Sequence, residues 1–130
     1  MAQEILVDKK LEDGEKLIRA LRAKNFDVAA AFWMQIDDGF WHLYLASKAA
    51  EGAVAKSEAY DTVLAVLRQL GQTSIDPSDI TLINTSKPAA KEVLDLQRQF
   101  PLNLYSRQRL RKLGGMRTGE AHIYPPIPAP

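Results

Sequence analysis

The stretch FWMQIDDGFWHLYLAS, Phe32 to Ser47, decides the fold. It holds both tryptophans of the chain and one of its two histidines, with Asp-Asp-Gly at its middle. Asp38-Gly39 suits a two-residue type I′ turn, because both central residues of that turn need positive φ and these two types tolerate it best. Apolar runs flank the pair, so the stretch is predicted to be a β-hairpin. The tight turn implies that Ile36 faces Trp41, Met34 faces Leu43 and Phe32 faces Leu45, which makes one side wholly apolar. The other side then carries Trp33, Tyr44, Gln35 and His42. A one-residue slip would mix the two sets, so the alternation supports this pairing. A three-residue turn of Asp37, Asp38 and a Gly39 bulge is the competing arrangement.

Working outward, Leu17, Ile18 and Leu21 recur at helical spacing before the hairpin, which predicts a helix over Gly14–Lys24 with Asp13 as N-cap and Asn25 closing its end. The segment EILVDKKL before it reads equally as a strand or a helical turn. After the hairpin, KAAEGAVAKSEA is small-residue-rich and is expected to be a loop or a weak turn of helix. Tyr60, Val63, Leu64, Leu67 and Leu70 then define an amphipathic helix stopped by Gly71. The β-branched ITLINTS, Ile80–Ser86, predicts a strand. Ser86 and Pro88 mark the start of a third helix whose buried stripe is Ala89, Val93, Leu96 and Phe100. LNLYS reads as a strand, RQRLRKL as helix or strand, Gly114-Gly115 as a turn and EAHIY as a last strand. The expected architecture is therefore α+β: a mixed, largely antiparallel sheet built on a central hairpin and covered by about three helices. Residues 1–124 are expected to form one domain, followed by an extended Pro-rich tail at 125–130.

Composition narrows the function classes. The chain has 130 residues, 46% apolar and 25% charged, which is ordinary for a soluble globular protein. It has no cysteine, which excludes disulfides, Cys-ligated metal and a thiol nucleophile. The N-terminus lacks the pattern of a signal peptide, and no run approaches the ~18 apolar residues of a membrane span, so a cytoplasmic protein with no membrane contact is expected. The net charge is +1, yet it is unevenly spread: from Lys87 onward there are eight Lys/Arg against three Asp/Glu, leaving nine against thirteen of the totals of 17 and 16 before it. Two readings follow: an anionic partner for the C-terminal part, or mutual attraction of the two parts within one fold.

Four sets of residues are candidates for chemistry or binding. Trp33, Tyr44, Gln35 and His42 form an aromatic face that, if open, would stack on bases or a planar ligand; packing in a core or an oligomer contact is the alternative. Thr85, Ser86 and Lys87 lie between a strand and a helix, where free N–H groups and the helix dipole favour an anion, although helix capping explains Ser86 equally. Arg98, Arg107, Arg109, Arg111, Lys112 and Arg117 are the best electrostatic footprint for nucleic acid or an acidic protein, against a solvated basic surface. His42 and His122 could approach if the last strand lies beside the hairpin. The adjacent Asp37 and Asp38 belong to the turn, and neighbouring strand residues point to opposite faces, which opposes chelation. No metal site, cofactor or catalytic residue is assigned.

The run AAAFWMQIDDGFWHLYLAS, followed by AYDTVLAVLRQL and ending in GEAHIYP, resembles a family of small uncharacterised bacterial proteins over about Gly14–Pro125. The shared features are framework positions; the resemblance implies a self-contained bacterial domain and carries no activity. The leading expectation is a non-enzymatic binding module and homo-oligomer that contacts nucleic acid or another acidic partner through its basic C-terminal region. The alternatives are a small phosphate- or nucleotide-handling enzyme with its anion site at residues 84–88, and a structural subunit of a larger assembly.

Overall fold

The computed structural model describes residues 8–35, 40–71, 73–99, 106–108, 112–113, 116–117 and 121–124. In chain order these form α1 (Asp8–Ala23), β1 (Ala30–Gln35), β2 (Trp41–Ala46), a 3-10 turn (Lys48–Ala50), α2 (Ala53–Gln69), a second 3-10 turn (Pro77–Asp79), β3 (Ile80–Ile83), α3 (Pro88–Gln99), β4 (Ser106–Gln108), β5 (Lys112–Leu113), β6 (Met116–Arg117) and β7 (Ala121–Ile123). Five strands make one sheet in the order β3-β2-β1-β7-β4, and β5 and β6 make a separate ribbon. Only β2 and β3 run parallel in the sheet. Parallel neighbours need a long crossover, which α2 supplies. The α+β class and the mixed sheet are as the sequence predicts. No helix among the described residues is long and apolar enough to cross a membrane.

Helices cover the sheet on both faces. On one, Leu17, Ile18 and Leu21 of α1 and Val63, Val66 and Leu67 of α2 pack with Trp33, Trp41, Leu43, Leu45, Ile80 and Leu82. On the other, Ala89, Ala90 and Val93 of α3 pack with Phe32, Met34, Tyr44, Ala46 and Ile123. The central strands are thus buried on both sides and have no polar face.

That double cover corrects the predicted hairpin register. The structure pairs Phe32 with Tyr44, Trp33 with Leu43, Met34 with His42 and Gln35 with Trp41. This is the register of the competing three-residue turn, one residue away from the tight turn; residues 36–39 themselves lie outside the described residues. The slip moves β2 over by one face, so Trp33 joins Leu43 and Leu45 while Tyr44 joins Phe32 and Met34. Register is strongly specified by patterning only where one face is wet. Here either register buries apolar side chains on both sides, so the alternation cannot choose between them.

The first helix also differs from its prediction. It starts at Asp8, and Asp13 is no N-cap but a buried residue inside it, accepting hydrogen bonds from the Ser74 N–H (2.8 Å), the Ser74 hydroxyl (2.7 Å) and Lys9 Nζ (3.1 Å). Gly14 follows inside the helix because a Cβ there would overlap the Tyr124 hydroxyl. That hydroxyl accepts from Trp33 Nε1 (2.9 Å) and donates to the Leu11 carbonyl (2.7 Å), tying the chain after β7 to α1. The helix ends as predicted at Asn25, whose φ of 62° is left-handed. Phe26 N–H reaches Leu21 O (3.0 Å) and Asn25 N–H reaches Arg22 O (2.9 Å), the paired bonds of a Schellman cap. α2 begins at Ala53, earlier than its predicted apolar stripe, directly after Gly52 at φ 85°. α3 starts at Pro88 as predicted, with Ala89 and Val93 buried; Phe100 and the side chain of Leu96 lie outside the described residues. Of LNLYS only Ser106 is described, as the first residue of β4, while within EAHIY the residues Ala121–Ile123 form β7 and Glu120 lies outside the described residues. Gly114, Gly115 and the tail at 125–130 also lie outside the described residues.

Candidate functional site

The aromatic face does not exist as a unit. Trp33 is 0% exposed and Tyr44 6%, and they lie on opposite sides of the sheet. Tyr44 stacks on Phe32, with centroids 5.3 Å apart and planes within 5°. Gln35 lies opposite Trp41, and half-buried His42 makes an edge contact with Tyr44 at 6.5 Å. Base stacking between Trp33 and Tyr44 is therefore closed off by packing. β7 does lie beside the hairpin, but His122 pairs with Trp33 and His42 with Met34, so the two imidazoles sit on opposite faces. His122 instead meets Trp41 edge-on at 5.4 Å. Asp37 and Asp38 lie outside the described residues. Among the described residues no group of three or more His, Asp and Glu is placed to hold a metal ion.

At the β3–α3 junction the local donors turn inward. Asn84 Oδ1 accepts from the Ser86 N–H (2.9 Å) and from the Ser86 hydroxyl, and Lys87 N–H donates to Asn84 O (3.2 Å). Two of the N–H groups expected to face an anion are thus used within the turn, and Pro88 has none to offer. Asn84 rather than Ser86 supplies the side-chain acceptor, a role the sequence reading overlooked although Asn is a common residue for such turns. Thr85 is half-buried; Ser86 and Lys87 are exposed.

The basic residues gather on the last elements. Arg98 is in α3, Arg107 in β4, Lys112 in β5 and Arg117 in β6; Arg109 and Arg111 lie outside the described residues. β4 is an edge of the main sheet and pairs Arg107 with His122. In the ribbon, Lys112 lies opposite Arg117 and Leu113 opposite Met116. α3 neighbours β5 and brings Glu92 and Asp95, both exposed. From residue 96 to residue 119 the sequence contains all six of these cations and no Asp or Glu. The absence of carboxylates was readable in the sequence. The opposition of Lys112 and Arg117 was latent in the predicted Gly114-Gly115 turn, since counting outward from it gives this pairing, but helix or strand was open there.

Electrostatics elsewhere are structural. Burial pushes the Asp13 carboxyl up, but hydrogen bonds from Ser74 and Lys9 outweigh it and hold its pKa at about 2. The Asp76 carboxyl is lowered by the Ser78 N–H and hydroxyl that it accepts while capping the second 3-10 turn. No family model, curated protein or solved structure matches the chain, so these geometric features carry the functional reading alone.

Proposed function

We propose that this chain is a non-enzymatic interaction module that contacts nucleic acid through its basic C-terminal segment. The observation that supports it is the carboxylate-free run of 96–119, whose described parts fall on α3, β4 and the β5–β6 ribbon. With Trp33 and Tyr44 buried, recognition rests on phosphates and not on stacking with those rings, so binding is indifferent to base sequence and steeply salt-dependent. As a homo-oligomer the module would multiply individually weak contacts.

The test is binding of labelled DNA and RNA to protein freed of nucleic acid, measured by fluorescence anisotropy across salt concentrations. About five phosphate contacts give a log–log slope near −4 to −5 on duplex DNA. Absence of binding at low salt contradicts the reading. The phosphate-handling alternative at Thr85, Ser86 and Lys87 has less support, because Asn84 engages the donors it would use.

A further inference from the structure

We propose that Tyr60 is a plug that closes the β3 edge of the sheet to strand addition by a second copy of this chain, so that any homo-oligomer forms through another surface. Among the described residues β3 ends the sheet and pairs only with β2. Successive residues of a strand turn their backbone N–H and C=O to alternate sides. Ile83 O accepts from the Ser47 N–H (2.9 Å) on the β2 side, so Ile80 and Leu82 turn theirs outward. An open edge would offer both of those N–H groups to another strand. Here the Ile80 N–H donates to Pro77 O of the second 3-10 turn, and the Leu82 N–H to the Tyr60 hydroxyl (2.8 Å). Directly past the strand the chain folds on itself, with Asn84 O accepting from the Lys87 N–H (3.2 Å).

The two contacts differ in kind. Pro77 belongs to the turn that leads into the strand, whereas Tyr60 comes from α2, 22 residues away. An added strand would lie about 4.8 Å from β3, with its own oxygen where the Tyr60 hydroxyl now sits. Tyr60 therefore fills the lane of a further strand as well as engaging its donor, and it is held there by packing against the core beneath α1 and α2. β3 needs such a device. Its four residues, ITLI, include no charge and no proline, the usual guards of an exposed edge, and shortness is the one such guard it has. The occupant that Tyr60 excludes is a second β3, because an uncharged, β-branched strand pairs with its own copy without opposing like charges.

The test reads hydrogen exchange at the Leu82 amide over a range of protein concentrations, beside sedimentation velocity. In the wild type this exchange is expected to be slow and independent of concentration. Tyr60→Phe frees the donor but leaves a ring in the lane, so exchange speeds up about fivefold or more and stays independent of concentration. Tyr60→Leu keeps an apolar, helix-favouring side chain that is too short to reach the edge. Its Leu82 amide is expected to exchange fast when dilute and several times slower when concentrated, as the sedimenting mass doubles. Adding Thr81→Lys to Tyr60→Leu puts a charge on the bare edge and is expected to reverse both effects, which collapse of a poorly folded variant would not show. A folded Tyr60→Leu whose exchange and mass ignore concentration overturns the plug. Wild-type exchange at Leu82 that slows with concentration overturns it as well, as does Tyr60→Phe exchange equal to the wild type, and both of these readings hold however Tyr60→Leu folds.

Discussion

Gly14 is the residue on which helix α1 and the end of the chain meet. Alanine is the better helix former by roughly 1 kcal/mol, yet a Cβ at this position would overlap the Tyr124 hydroxyl. Overpacking of this kind costs about 1–3 kcal/mol, so Gly14→Ala is expected to destabilise the protein in urea unfolding. Tyr124→Phe alone leaves Trp33 Nε1–H and the Leu11 carbonyl without that partner, a loss of about 1–3 kcal/mol. Removing the hydroxyl also clears space for the Cβ, so the double variant is expected to be more stable than the sum of the two losses, a coupling that a double-mutant cycle reads directly. Asp13 gives a pH signature. Its folded pKa of about 2 lies below the ordinary 3.8, so its contribution is full above the ordinary value and is lost as pH falls through the folded one. Asp13→Asn is expected to be less stable than the wild type near neutrality, by on the order of 2 kcal/mol, and the difference should shrink as unfolding is measured from pH 3.8 down toward 2. Neither role was legible beforehand: Asp-Gly before an apolar run reads as a helix start, and only Tyr124 and Ser74, both distant in sequence, explain it as a helix interior.

At the scale of elements, what sequence patterning conveys depends on how much of each element is wet. The amphipathic stripe of α1 was legible because one side of that helix meets solvent, and its Asn25 cap because positive φ favours a few residue types. The hairpin was legible as a hairpin but not in its register, since helices cover both of its faces: Trp33 packs with α1 and α2, and Tyr44 with α3. The edges of the sheet were invisible for a different reason: strand order is set by long-range pairing. At one edge, β3, the Leu82 N–H donates to the Tyr60 hydroxyl of α2 (2.8 Å). This contact occupies a backbone donor that an edge strand otherwise presents to other chains. Tyr60→Phe is expected to speed hydrogen exchange at the Leu82 amide and to destabilise the fold by about 1 kcal/mol; an unchanged exchange rate would show that the hydroxyl does not protect this edge.

Across the whole molecule, helices pack on both faces of the central strands, and the charge asymmetry becomes the functional signal. The aromatic cluster that first suggested a binding surface is spent on packing, whereas the basic run is carried on short strands and α3 at the end of the chain. Of the candidate residues, the basic set was the part most open to sequence reading, because a lack of carboxylates needs no fold to be seen. The pairing of Lys112 with Arg117 needed the ribbon. The central claim, that the binding surface is the cationic C-terminal region and the hairpin is core, is tested most directly by an amide and indole NMR titration of the labelled protein with a short oligonucleotide at low salt. The account predicts shifts concentrated at Arg107, Lys112 and Arg117 with the Trp33 indole N–H unmoved. A shifted Trp33 indole beside unaffected C-terminal amides would contradict it.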